Sequence, residues 1–153
     1  MRASLAVCIL AALLATGACL QCEVCSGPGT SCTGALQTCP ARFDSCGISL
    51  IENTLAGVKS HIIVKTCVTP SACKAGLMSI RYWNGDTLRL NMSCCMGDAC
   101  RATTVTLPPA DTEPNGQRCP GCIFSNASYC EQGTIECTEA ETQCFYSIKR
   151  KGT

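Results

Sequence analysis

Residues 20–46 read LQCEVCSGPGTSCTGALQTCPARFDSC, a ruler of Cys22-x2-Cys25-x6-Cys32-x6-Cys39-x6-Cys46. It continues as x20-Cys67-x5-Cys73-x20-Cys94-Cys95-x4-Cys100. A Pro- and Thr-rich stretch containing Pro108, Pro109 and Pro114 follows. The ruler then restarts as Cys119-x2-Cys122-x7-Cys130-x6-Cys137-x6-Cys144. The first four intervals recur with one residue of difference, and self-similarity of that kind marks one structural unit used twice. The spacing therefore predicts a complete module over residues 20–101, a linker over 102–118, and over 119–153 the opening part of a second module, truncated after its fifth cysteine.

Between the cysteines the chain reads as β. Ile48–Ile51 and His61–Lys65 are apolar, β-branched runs flanking a turn-prone stretch from Asn53 to Ser60. Leu77–Trp83 and Thr87–Met92 flank Asn84-Gly85, a strong hairpin signal because both residues tolerate the positive φ of a type I′ turn. Each x20 gap thus holds one long hairpin, and the shorter gaps hold a smaller one. Three hairpins radiating from a cluster of cysteines make a three-finger arrangement in a small, disulfide-rich, all-β fold. Flat hairpins bury little apolar area, so the core of such a module is marginal alone. Bridges worth roughly 2–4 kcal/mol each then dominate its stability. Their connectivity is open at this point, because ten cysteines can pair in many ways.

The N-terminus decides the compartment. Met1-Arg2, an apolar run from Leu5 to Ala15 and the small residues Thr16-Gly17-Ala18 have the layout of a secretory signal peptide over residues 1–19. The apolar run is too short to span a bilayer. A lipoprotein reading of Cys19 lacks the usual apolar residue three places upstream, where Thr16 stands. Removing this leader takes away Cys8 and Cys19 and leaves fifteen of seventeen cysteines, in a compartment where thiols pair. The remainder carries eleven basic and eleven acidic side chains, which gives no reason to expect nucleic acid or an anionic membrane as partner. No second long apolar run follows, so a secreted, extracellular protein without a transmembrane segment is expected.

Chemistry-bearing residues are sparse. Two Cys-x-x-Cys pairs, Cys22/Cys25 and Cys119/Cys122, would suit zinc, but each opens a disulfide ruler in a secreted chain. His61 is the one histidine, so a two-histidine metal site is impossible and any Ser-His or Cys-His pair would have to use it. No catalytic residue, metal or cofactor is expected. Glu136, Glu139 and Glu141 read as a solvated loop face. Asn91-Met-Ser93 and Asn126-Ala-Ser128 match the N-glycosylation acceptor pattern. Partner contacts are sought on the long fingers, where a stapled scaffold presents loops at low ordering cost. Tyr82 and Trp83 beside the turn are the leading pair, with packing against a neighbouring finger as their alternative role. Leu55 and Val58 near the tip of finger two are the weaker candidates.

The run from Leu20-Gln-Cys-Glu-Val-Cys25 through Cys94-Cys95-Met-Gly-Asp-Ala-Cys100 resembles the Ly-6/urokinase-receptor family of snake-toxin-like three-finger domains. The tandem arrangement, with Pro114-Asn115-Gly116 and Cys119-Pro120-Gly121-Cys122 entering the second copy, is most similar to the gamma-type phospholipase A2 inhibitors. The resemblance implies bridges Cys22–Cys46, Cys25–Cys32, Cys39–Cys67, Cys73–Cys94 and Cys95–Cys100. In the second copy it implies Cys119–Cys144 and Cys122–Cys130, leaving Cys137 unpaired. The odd cysteine is what a fragment or short isoform of a two-domain protein would carry. Arg101 follows the tenth cysteine where many members of the family have Asn, so the usual asparagine clamp of the hub is not expected. The function implied is a secreted inhibitor that binds phospholipase A2 by protein–protein contact. The alternative is an extracellular or cell-surface Ly-6-type adhesion or receptor-modulating protein, whose membrane-attached members carry a C-terminal anchor signal. Homo- or hetero-oligomers are implied as well, and Cys137 is a candidate crosslink between chains.

Overall fold

The computed structural model describes residues 20–82, 84–126, 129–138 and 141–145, with only the strand path described for 122–132. The leader expected over residues 1–19 lies outside them. Strand β1 (Gln21–Pro28) and β2 (Ala35–Thr38) form finger one, β3 (Ser45–Leu55) and β4 (Val58–Val68) finger two, and β5 (Met78–Arg81) and β6 (Thr87–Cys95) finger three. They join in one six-stranded sheet ordered β2-β1-β4-β3-β6-β5. Single-turn helices α1 (Pro70–Cys73) and α2 (Ala99–Ala102) sit at its cysteine end. Strands β7 (Pro114–Asn126) and β8 (Tyr129–Thr138) make a separate antiparallel pair. The protein is thus small, disulfide-rich and mostly antiparallel β.

The long fingers differ from expectation at their tips. Finger two has no eight-residue turn, because pairing runs through Asn53↔Ser60 and Thr54↔Lys59 to Leu55↔Val58. Ladder hydrogen bonds come from the backbone and are indifferent to the polar side chains that suggested a turn. Only Ala56 and Gly57 remain, both left-handed at φ 49° and 81°, as a type I′ turn requires. Finger three is the reverse case. Asn84 is not left-handed and only Gly85 is, at φ 84°. The Gly85 N–H donates to the Tyr82 carbonyl at 3.0 Å, and the Tyr82 N–H to the Asp86 carbonyl at 2.9 Å. A turn closed by a left-handed glycine replaces the two-residue loop. Asn84 is held there because its Oδ1 accepts from the Asp86 N–H (3.2 Å) and its Nδ2 donates to the Asp86 carboxylate (2.6 Å). Asp86 also accepts from the Ala56 N–H at 2.8 Å, which ties the two tips together.

Bridges join Cys22 to Cys46, Cys25 to Cys32, Cys39 to Cys67, Cys73 to Cys94, and Cys95 to Cys100. Around them lies the core of Ile48, Leu50, Ile63 and Val105, with Leu20, Phe43 and Leu107 packed against it. Each such aliphatic side chain contributes about 1.5–3 kcal/mol, so the bridges carry a share comparable with packing. Val105 and Leu107 come from the stretch read as linker, which here runs back over the sheet as a strap. Arg89 donates to the Pro108 carbonyl (2.9 Å) and Asn91 Nδ2 to the Thr106 carbonyl (2.6 Å), fixing it in place.

Candidate functional site

Residues paired across neighbouring strands project to the same face of a sheet. Glu52 on β3 pairs with His61 on β4 and with Arg89 on β6, so the three form one row beneath the strap. Glu52 is 7% exposed and Arg89 5%. The Glu52 carboxylate meets Lys59 Nζ at 3.3 Å, His61 Nε2 at 3.2 Å and Arg89 Nη1 at 3.6 Å. Burial alone would raise the Glu52 carboxyl, but the Lys59 hydrogen bond, the Lys59 and Arg89 charges and the His61 hydrogen bond hold it below the ordinary range. The row floors a groove of ≈ 590 Å³, with Lys59 and His61 at the rim and Thr104–Ala110 as one wall. One carboxylate and one imidazole are too few donors for a metal site. The acid is answered by the Lys59 and Arg89 charges and by a hydrogen bond with His61. His61, expected to be an ordinary strand residue, is thus one arm of a charge cluster that sequence reading missed. A readable signal was that Glu52 alternates in phase with Ile48 and Leu50, the core-facing side of β3.

The sulfurs of Cys22, Cys39 and Cys67 lie within 4.8 Å of one another, but all three are spent in bridges and offer no thiolate. In the second copy Cys119 is bridged to Cys144, and the thiol of Cys137 is free and 4% exposed. Burial pushes that thiol up, the Glu141 carboxylate adds to the shift and Arg81 opposes it. At that depth the thiol is shielded from a second folded chain. The pairing of Cys122 with Cys130 falls on side chains outside the described residues. The β1–β2 and β7–β8 hairpins nevertheless share their opening geometry. Cys22↔Gln37 and Cys119↔Ile135 each pair two residues before the fourth cysteine. Cys39 Sγ stands 3.2 Å from Cys22 Sγ, as Cys137 Sγ stands 3.5 Å from Cys119 Sγ.

Of the expected glutamate face, Glu136 is exposed and paired with Arg118 at 2.9 Å, and Glu139 lies outside the described residues. Glu141 corrects the expectation. It is 6% exposed because it docks the second copy on finger three. Its carboxylate accepts from Ser79 Oγ (3.1 Å), Arg81 Nε (3.4 Å) and the Thr138 N–H (2.8 Å), while Arg81 Nη2 also donates to Thr138 Oγ1 (2.7 Å). Tyr82 joins this contact through an edge-on approach to Phe145, centroids 6.4 Å apart. Its ring therefore faces the second copy, not a neighbouring finger. Trp83 lies outside the described residues. Leu55 and Val58 are 58% and 70% exposed at the tip of finger two. The acceptor nitrogen of Asn91 is the one that clasps the strap, and the Asn126 side chain lies outside the described set. Arg101 stands exposed, 3.8 Å from Asp98. Among the described residues no helix is long and apolar enough to cross a membrane.

Residues 20–102 match the family model described as "Phospholipase A2 inhibitor". The chain is 33% identical to "Phospholipase A2 inhibitor NAI" of Notechis ater, over 99% of this chain and 76% of that one. It is 35% identical to a gamma-type phospholipase A2 inhibitor chain of Elaphe climacophora over the same shares. With "Phospholipase A2 inhibitor PIP" of Malayopython reticulatus it shares 33% identity over 95% of this chain and 72% of the other. No solved structure matches.

Proposed function

The chain belongs to the phospholipase A2 inhibitor family, and from that premise we propose that it is a secreted protein that binds phospholipase A2 and inhibits it. It is not an enzyme. What carries the reading is the likeness to the inhibitor relatives, which runs through both copies of the module. In this reading residues 20–101 form a three-finger domain, and residues 119–153 belong to a second one. The shared register and sulfur placement of the two opening hairpins support that division. The contacts are assigned to the long fingers, with Leu55 and Val58 at the joined tips and Tyr82 and Trp83 at the seam with the second copy. Asn91 and Asn126 are proposed glycan acceptors; one Asn91 Nδ2 proton is enough to keep the strap clasped.

The test is an inhibition titration of the oxidised chain against a panel of secreted phospholipase A2 enzymes, with monomeric and vesicle-bound substrate in parallel. Saturable inhibition at fixed stoichiometry is expected against at least one enzyme. Absence of binding to every member would overturn the reading.

A further inference from the structure

The sheet has two faces of opposite character: the strap lies on one, and on the other the described residues cover the cysteine end, where Val68 packs on Gly47 and Cys73 bridges to Cys94. Ile48, Leu50, Glu52, Ile63 and Arg89 point to the face beneath the strap, and all are buried. Ser79 and Arg81, which hold Glu141 of the second copy, belong to that same face, since Ser79 pairs with Arg89. Core, strap and second copy therefore all pack on one side.

On the other side the cross-strand register lines up Pro28, Ile62, Ile51, Leu90 and Met78 in one row, crossing β1, β4, β3, β6 and β5. At about 4.8 Å per strand step the row is roughly 20 Å long. Toward the tips Leu88 and Ile80 pair on the same face, and beyond Asn53↔Ser60 it ends on Leu55↔Val58. Toward the cysteines it continues through Val64 and Met92, each paired with Ser49. None of these side chains belongs to the core or packs against it among the described residues. Ile51, Ile62, Leu88 and Leu90 are half-buried by their neighbours in the sheet, while Met78 is 42% exposed. An antiparallel sheet with one covered face normally turns polar side chains outward. Here β6 does the reverse, with Arg89 and Asn91 turned inward and Leu88, Leu90 and Met92 outward. Contiguous apolar surface of this kind marks interaction sites.

We propose that this open face is the surface with which the chain takes its partner, and that it covers the apolar, lipid-facing surface of a phospholipase A2. The inference rests on the inhibitor reading above and names the surface that performs it. Charge selects the occupant. The rows hold Pro, Ile, Val, Leu, Met, Ser and Asn but no acidic, basic or histidine side chain. A charged partner surface seated there would be desolvated without an answering ion. An enzyme that cuts phospholipids packed in a bilayer must itself present apolar side chains to the membrane, because burial of apolar area is part of what holds a protein at the lipid interface. Two such faces match in character, and joining them keeps the enzyme off its lipid. The exposed pair Leu55 and Val58 is the outer end of the same surface.

The experiment uses the full oxidised chain with Met78→Lys and Ile62→Lys as face variants. Leu36→Lys is the control, since Leu36 is 66% exposed on finger one but pairs with Glu23, on the other face. Each is titrated against a secreted phospholipase A2 that the parent chain inhibits, on phosphatidylcholine vesicles, with hydrogen exchange reporting the fold. Both face variants should weaken inhibition about tenfold or more at unchanged exchange protection, and the control should stay within about twofold. If Ile62→Lys loses protection, the exposed Met78→Lys decides alone. Parent-like inhibition by the face variants, with the parent active, would overturn the proposal and leave the inhibitor reading standing. An inactive parent would overturn both. Two further results would also overturn it: enzyme-free binding of the parent to vesicles that the variants lose, or self-association that they abolish. The occupant would then be lipid or a second copy.

Discussion

At the residue scale, Glu52 shows how much one side chain can depend on its neighbours in the sheet. Its carboxylate is nearly out of water and stays ionised because the Lys59 and Arg89 charges converge on it and His61 shares a hydrogen bond with it. A carboxyl held below its unfolded range contributes stability above about pH 4.5, and that contribution disappears as pH falls through the lowered folded value. Glu23 adds to the same limb, held down first by the Lys65 hydrogen bond (2.6 Å) and then by the Gly34 N–H. Chemical denaturation across pH 2–7 should therefore show stability falling below about pH 4.5. Glu52→Gln should cost roughly 2 kcal/mol at pH 7 and flatten that fall. An unchanged acid limb in the variant would show that Glu52 is not its source. Little of this was legible beforehand: the strand phase placed Glu52 on the core side, but its partners sit on other strands.

At the element scale, finger two depends on a two-residue turn whose first position is the wrong kind of residue. Ala56 carries φ 49°, a region that costs an L-residue with a Cβ about 1 kcal/mol, while Gly57 takes φ 81° freely. Ala56→Gly should raise the unfolding midpoint by the equivalent of about 0.5–1 kcal/mol, because the N–H that bonds Asp86 is kept. A thermal melt with no gain would show that the extra freedom of glycine in the unfolded chain offsets the relief. Finger three shows why a dipeptide signal can find a hairpin and miss its turn. Asn84-Gly85 located the reversal, but the Asn84–Asp86 side-chain bonds chose a longer loop than the strands alone required.

For the whole molecule, Arg81 and Glu141 tie the segment around the β7–β8 pair to finger three. Glu141 read as solvated because it lies close to Glu136 and Glu139 in sequence; it is buried because Ser79 and Arg81 reach it from residues about sixty positions earlier. Arg81→Ala leaves a buried carboxylate without its counter-ion, a loss of about 2 kcal/mol after allowing for the partly exposed guanidinium. Hydrogen exchange should then speed up in β7 and β8 while the six-stranded sheet keeps its protection. Equal protection in both sheets would mean that the copies are held together elsewhere.

The sequence by itself determined the small, disulfide-rich β class and the hairpins of the six-stranded sheet, because cysteine spacing and strand alternation are local properties that survive without knowing where the chain goes next. Resemblance added the pattern of bridges that the hub displays. What only the tertiary structure decided is which face of each strand is buried. Alternation in Thr87–Met92 separates Leu88, Leu90 and Met92 from Arg89 and Asn91, yet it does not say which set turns inward. That was decided by a Pro-rich strap folding back onto the sheet, where Val105 and Leu107 join the core and Arg89 and Asn91 donate to the Pro108 and Thr106 carbonyls. Backbone oxygens brought against the sheet are met by donors, and the polar side of β6 supplies them.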